Sequence, residues 1–230
     1  MRILHLKVEY KQKTGVAAWM LIVSTLLLLF FAANTASASQ YGSPLKIVAF
    51  GTSLTSRGGW PQVLEKELGA CLKQPVSIKI VALAGATSEW ALSQVAWVTA
   101  EQPDIVLVEL YANDAALDRF IRLSTSRTNI AMILDGLHAG APQARIVVMA
   151  MNPVSGLRGW MRPFLDSYIA AHRQAAESRG MGFVDFRPAW FALPELERIE
   201  AIPDGLHPKP EKAGEIMATM LVRYLVRGLC

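Results

Sequence analysis

The sequence predicts an α/β fold: a three-layer α/β/α sandwich around an about five-stranded parallel sheet. Three observations predict it. Short runs rich in Val and Ile recur along the chain and read as strands. Stretches whose apolar residues fall at helical spacing lie between them. The runs are near-continuously apolar, as strands covered on both faces are, and a strand–helix alternation of this kind builds a parallel sheet. Crossovers between parallel strands are expected to be right-handed.

The first strand is Leu45 to Phe50, with Ile47 and Val48 at its centre. A helix near Trp60 to Ala70 follows, carrying Val63, Leu64 and Leu68 on a face that continues to Leu72, and Pro75 breaks it. Val76 to Leu83 is the second strand. Trp90 to Thr99 is the next helix, with Ser88 as a candidate cap and Glu89 in its first turn. Ile105 to Leu110 is the third strand, apolar except for Glu109. Leu117 to Thr125 is mixed, and Ile130, Ile133, Leu134 and Leu137 then share one helical face. Ala144 to Ala150 is the fourth strand. Val154 to Pro163 reads as a rim loop beside a site, and Phe164 to Ala176 as a helix. Gly182 to Phe186 is a short fifth strand. Pro188 to Pro203 reads as loop with a helical turn. Ala213, Ile216, Met217, Met220, Leu221, Tyr224 and Leu225 mark the last helix.

Residues 1–38 read differently. Arg2, Lys7, Lys11 and Lys13 precede an 18-residue apolar run, Val16 to Ala33, and Ala36-Ser37-Ala38 follows. A basic start, an apolar centre and a small-residue exit form an export signal with cleavage after Ala38. The run is also just long enough to stay as a membrane anchor, the one membrane contact the sequence suggests, through residues 16–33. Either way residues 39–230 form a single exported domain, periplasmic or extracellular in a bacterium. Removing the leader takes four of 23 basic and one of 19 acidic side chains, leaving net +1. That balance gives no support for nucleic acid as a partner. Cys71 and Cys230 either form a disulfide in an oxidising compartment or remain two thiols; without a CxxC neighbour neither suggests a metal site. No Gly-x-Gly-x-x-Gly or Gly-x-x-x-x-Gly-Lys sequence suggests a nucleotide, and no cofactor is expected.

The chemistry-bearing residues lie at the two ends of the domain. Ser53 stands directly after the first strand, where α/β sheets bind ligands. Taken alone, its plainer role is to cap a helix. Asp204 and His207 stand three apart among turn formers in Ile202-Pro203-Asp204-Gly205-Leu206-His207-Pro208. A serine hydroxyl needs a base within hydrogen-bond reach, and that base needs an orienting carboxylate. His207 is the one histidine in a context that supplies both. His5 is in the leader, His138 near a helix end, and His172 on a helix whose apolar face holds Tyr168 and Ile169.

The order of these segments resembles the SGNH hydrolases, the GDSL-type esterases and lipases. The family's Gly-Asp-Ser-Leu block is similar to Gly51-Thr52-Ser53-Leu54; its glycine block to Gly85 in Ala84-Gly85-Ala86-Thr87; its Gly-x-Asn-Asp block to Tyr111-Ala112-Asn113-Asp114; its Asp-x-x-His block to Asp204-Gly205-Leu206-His207. The resemblance spans roughly residues 45 to 226 and implies a flavodoxin-like architecture. It implies Ser53 as nucleophile, His207 as base and Asp204 as its orienting acid. It also implies an oxyanion hole of the Ser53 and Gly85 N–H groups and the Asn113 amide. The implied activity is ester hydrolysis through an acyl-enzyme, with short-chain acyl or acetylated-saccharide substrates. The alternatives are a lipase or lysophospholipase, a saccharide O-acetyltransferase with the same triad, or an inactive glycan-binding domain. Two positions depart from the blocks: Thr52 replaces an aspartate, and Tyr111 replaces a glycine, which places a bulky ring where it is expected to reshape the acyl pocket.

Overall fold

The structure is a computed structural model that describes residues 43–226. Residues 1–38, the stretch expected to be an export signal, and Cys230 lie outside the described residues. Cys71 is disulfide-bonded. The sheet lies in the unit that begins at Pro44.

Five strands form one parallel sheet: β1 Leu45–Gly51, β2 Val76–Ala82, β3 Ile105–Val108, β4 Arg145–Ala150 and β5 Gly182–Asp185. They lie in the order β2-β1-β3-β4-β5. In register, Ile47 faces Ile78 on one side and Ile105 on the other. Alternate side chains of a strand point to opposite faces. Ile47, Ala49, Leu107 and Val147 accordingly pack one way, against Trp60, Leu64 and Leu68 of helix Trp60–Leu72 and Met217 and Leu221 near the C-terminal end. Val48, Phe50, Val106, Val108 and Val148 pack the other way, against Ala91 and Val98 of helix Ser88–Ala100 and Ile130, Ile133, Leu134 and Leu137 of helix Leu123–Gly140. The two apolar layers bury the centre of the sheet. β2 and β5, at the edges, keep half-buried positions.

This order reverses direction between β1 and β3, which makes their carboxyl ends the topological switch point where ligands bind in open α/β sheets. Ser53 follows β1, Gly85 follows β2, Asn113 follows β3 and Asn152 follows β4.

Several local expectations change. The stretch expected to be loop with one helical turn, Pro188 to Pro203, holds two helices, Arg187–Phe191 and Glu195–Ala201. Trp190 is fully buried and anchors the first; Pro194 caps the second, with Glu195 and Glu197 in its first turn. Val154 to Pro163 is not plain loop but carries the helix Gly156–Trp160. Ser88 is not the cap of its helix but its first residue. Its N–H donates to Asp114 Oδ1 at 2.8 Å, so a carboxylate from across the sheet does the capping. The last helix is interrupted by a π-helical turn, Gly214–Ala218, between Pro210–Ala213 and Thr219–Val226.

Candidate active site

The Ser53 turn is held from below. Thr52 caps the one-turn helix Ser53–Ser56, its Oγ1 accepting from the Leu54 N–H at 3.4 Å. The Leu54 carbonyl accepts from the buried Trp60 indole at 3.1 Å. Beneath lies Glu109, wholly buried just past β3. The Thr52 N–H donates to its Oε2 at 3.1 Å, the Thr52 hydroxyl stands 3.0–3.1 Å from both carboxyl oxygens, and the Thr55 hydroxyl donates to Oε2 at 3.2 Å. Burial pushes the Glu109 carboxyl up to about 7, against the Thr52 and Thr55 hydrogen bonds that favour its charge. A carboxyl group from the end of β3 thus lies beneath Thr52, the position where the family's block carries an aspartate. In the sequence its signal is a lone charge in an apolar run.

At the other end of the chain, Asp204 organises its own turn. Its Oδ1 accepts from the Leu206 N–H at 2.9 Å and the His207 N–H at 2.7 Å, and its Oδ2 meets His207 Nδ1 at 2.7 Å. Partial burial works against ionisation, but the His207 N–H, the His207 ring and the Leu206 N–H outweigh it and hold the carboxyl at about 2. Gly205 between them has φ +75°, and a Cβ there would strike the Ser155 carbonyl, so this turn closes only with glycine. From the end of β4, the buried Asn152 donates to the Leu206 carbonyl at 2.8 Å. Asn152 fixes the His207 turn to the sheet, a role no local pattern announces because it depends on a partner 54 residues away.

These two turns meet. Ser53 Oγ lies 2.9 Å from His207 Nε2. Since Nδ1 faces a carboxylate, the proton on the neutral ring sits on Nδ1 and Nε2 is left to accept from the serine. Beside the hydroxyl opens a cavity of about 270 Å³ whose lining includes Ser53, Gly85, Asn113, Met161, Leu206 and His207. Neither the Ser53 N–H nor the Gly85 N–H donates to a protein acceptor among the described residues. Gly85 has φ +79°, which favours glycine. Asn113 Nδ2 donates one hydrogen to the Ala86 carbonyl at 2.8 Å, which orients the amide and leaves its second hydrogen. All five residues singled out in the sequence therefore border one cavity or one hydrogen-bonded line.

Tyr111 does not narrow the cavity. Its ring is buried in the core, its hydroxyl accepts from the Met151 N–H at 2.9 Å, and it takes no part in the lining. The bulk that replaces the family's glycine is spent on bracing the end of β4.

Residues 38–211 match the GDSL-like Lipase/Acylhydrolase family, well over half of the chain. The chain belongs to that family. As a GDSL-like acylhydrolase it is a hydrolase of carboxylic esters. The fold is shared with solved structures of low identity. A lipase/acylhydrolase from Enterococcus faecalis is 22% identical, with 80% of this chain and 95% of that one covered and a TM-score of 0.67. An acetylxylan esterase from Geobacillus stearothermophilus is 19% identical, covering 83% and 96%, at 0.64. The psychrotrophic esterase EstA from Pseudoalteromonas sp. is 19% identical, covering 79% and 98%, at 0.62. No curated protein matches the chain.

Proposed function

We propose that this acylhydrolase cleaves esters of short acyl groups, acetylated saccharides among them, with Ser53 as nucleophile, His207 as general base and Asp204 as its orienting acid. The observation that carries the reading is the unbroken line from Ser53 Oγ through the His207 ring to Asp204 Oδ2, with steps of 2.9 and 2.7 Å. As Oγ attacks the acyl carbon, its proton passes to His207 Nε2, and Asp204 stabilises the imidazolium that forms. The oxyanion is met by the Ser53 and Gly85 N–H groups and the second hydrogen of Asn113 Nδ2. His207 then gives its proton to the leaving alcohol. A water, deprotonated by the same nitrogen, releases the acid from the acyl-enzyme and returns the proton to Ser53.

The size of the cavity, about 270 Å³, supports a short acyl group, since it lies below the roughly 300–1,000 Å³ of sites that hold drug-sized ligands. A similar fold serves the acetylxylan esterase of Geobacillus stearothermophilus, which favours acetyl esters of sugars as candidates. Treatment with a fluorophosphonate followed by mass spectrometry tests the mechanism. The expected result is an adduct on the Ser53 peptide that is lost in His207→Ala. Esterase activity surviving Ser53→Ala would discard the mechanism. Across p-nitrophenyl esters of rising chain length, highest kcat/KM at long chains would discard the short-acyl preference.

Export belongs to the same proposal and rests on the basic, apolar and small-residue segments of residues 1–38. Protein recovered from its native host should begin at or near Ser39. A start at Met1 in the membrane fraction would identify an anchor, and a cytoplasmic form starting at Met1 would remove export altogether.

A further inference from the structure

Four arginines, Arg57, Arg119, Arg158 and Arg162, line the cavity beside Ser53, and Asp118 is the one acidic side chain that lines it with them. This excess is local. Outside the leader the chain is close to neutral, with 19 basic and 18 acidic side chains. Several arginines elsewhere are paired: Arg173 with Asp185, Arg179 with Asp135, and Arg187 with Asp166 and Asp185. Arg145 and Arg198 lie over the rings of Tyr224 and Phe191. Among the described residues, none of the four cavity arginines forms an ion pair.

Arg162 is the most telling of them, because its side chain is brought out of water. The residue is 6% exposed. Its Nε donates to the Ala112 carbonyl at 2.7 Å and its Nη1 to the Arg158 carbonyl at 3.0 Å. Nη2 has no protein partner among the described residues. Burial first, then the charge of Arg158, pushes the guanidinium below its ordinary range, with Asp118 opposing and Arg119 adding to the repulsion. A buried cation is costly unless an anion or hydrogen bonds compensate it. Here the backbone carbonyls occupy two nitrogens and no carboxylate pairs with it. Arg119 approaches from the other side, its Nη2 3.2 Å from where a Cβ on Gly85 would stand. Arg119 thus stands beside Gly85, in the cavity that Arg57, Arg158 and Arg162 also line.

On the reading of this cavity as the ester site, we propose that the substrate carries an anionic group, a phosphate or a carboxylate, which the arginines of the cavity bind while Ser53 attacks the ester. Guanidinium forks match the planar oxygen pairs of both anions, and charge-assisted bonds of this kind are strong enough to select a substrate. The four arginines set specificity, and Arg119 and Arg162 contribute most, Arg119 because it stands beside Gly85 and Arg162 because its buried charge has no carboxylate partner among the described residues.

Matched esters test the proposal. Monoacetylglycerol is compared with its phosphate-bearing counterpart, acetylglycerol phosphate, and methyl butyrate with methyl hydrogen succinate. The first pair reads a phosphate and the second a carboxylate. In at least one pair, kcat/KM for the anionic ester should exceed that of the neutral one by about 10- to 100-fold, the scale of one charge-assisted hydrogen bond. The preference should shrink as ionic strength rises. Arg119→Gln should cut the anionic-to-neutral ratio about 10-fold, while Arg119→Lys keeps part of it. Since Arg162 is buried and its variants risk misfolding, Arg158→Gln serves as the second variant, with a smaller cut expected. Inorganic phosphate should inhibit p-nitrophenyl acetate hydrolysis competitively, and less so in Arg119→Gln. Equal kcat/KM within both pairs, with no inhibition by phosphate, would overturn the anionic substrate and leave the esterase reading standing. No turnover of any of the four esters, and no fluorophosphonate adduct on Ser53, would instead remove the esterase reading and this proposal with it.

Discussion

Two serine–histidine pairs lie in this domain, and by distance alone they are twins. Ser53 Oγ stands 2.9 Å from His207 Nε2, and Ser126 Oγ stands 3.0 Å from His172 Nε2. The surroundings separate them. Ser126, on helix Leu123–Gly140, and His172, on helix Leu165–Glu177, are both buried, and the His172 ring meets Tyr111 edge-on with centroids 6.3 Å apart. His172 Nδ1 has no partner among the described residues, and burial drives the ring's pKa down to about 3. His207 has Asp204 behind its ring and an open cavity before its serine. A Ser–His contact is therefore not a nucleophile by virtue of its length. What makes the difference is a carboxylate that can balance the imidazolium and space for a substrate.

The comparison breaks most sharply if the wrong pair is the active one. Ser53→Ala should lower kcat by about 10⁶, the scale seen when a serine nucleophile is removed, with substrate binding retained. Steady-state kinetics on a short-chain ester check it, and a loss under tenfold would end the assignment. Asp204→Asn tests the carboxylate that His172 lacks. It should cost about 10⁴ in kcat, less than the nucleophile, because the imidazole stays in place but loses its orienting charge. Asn113→Ala removes one oxyanion donor and should cost about 10²–10³ in kcat with little change in KM. An equal rise in KM and no fall in kcat would make Asn113 a ground-state binding group instead.

The contrast also explains which parts were legible in the sequence. The strands were, because Val and Ile runs such as Ile105 to Val108 have no other use in a chain of this composition. Ser53, Asp204 and His207 drew notice by their settings, after a strand or among turn formers; Gly85 and Asn113 entered only through the resemblance to the family's blocks, and the structure brings all five together. The helices Arg187–Phe191 and Glu195–Ala201 were not, being too short for periodicity to show. The second carries a local signal, a proline followed by glutamates, Pro194-Glu195-Leu196-Glu197. Asn152 and Arg162 have no local signature at all: each acts on a backbone carbonyl 50 or more residues away. Tyr111 was misplaced because a block position fixes where a backbone runs and not where a large side chain turns.

The smallest expected effect on activity belongs to the buried pair, and there the informative readout is stability against pH. The double variant Ser126→Ala/His172→Phe removes both partners of the bond together, which leaves no orphaned hydroxyl and should keep kcat/KM within about twofold. His172 has a folded pKa of about 3 against an ordinary 6.5, so from pH 6.5 down to 3 the unfolded chain binds a proton that the folded chain does not. Its contribution is present above 6.5 and is lost as pH falls through that window. Glu109 runs the other way. Its folded pKa of about 7 lies above the ordinary 4.5, so the folded chain holds the extra proton, and stability falls as pH rises from 4.5 to 7. Between pH 4.5 and 6.5 the two therefore cancel, one proton for one proton. With His172 gone, only the Glu109 slope remains of the two; losing the Ser126 hydroxyl, which helps hold the Asp114 carboxyl down, changes stability with pH in the same direction. Relative to the parent, the double variant should lose about 1.4 kcal/mol of stability per unit rise in pH across that window. Urea unfolding at pH 4.5, 5.5 and 6.5 measures it. Parallel curves for the two proteins would mean that His172 titrates as freely folded as unfolded, and the distinction between the two pairs would then rest on Asp204 alone.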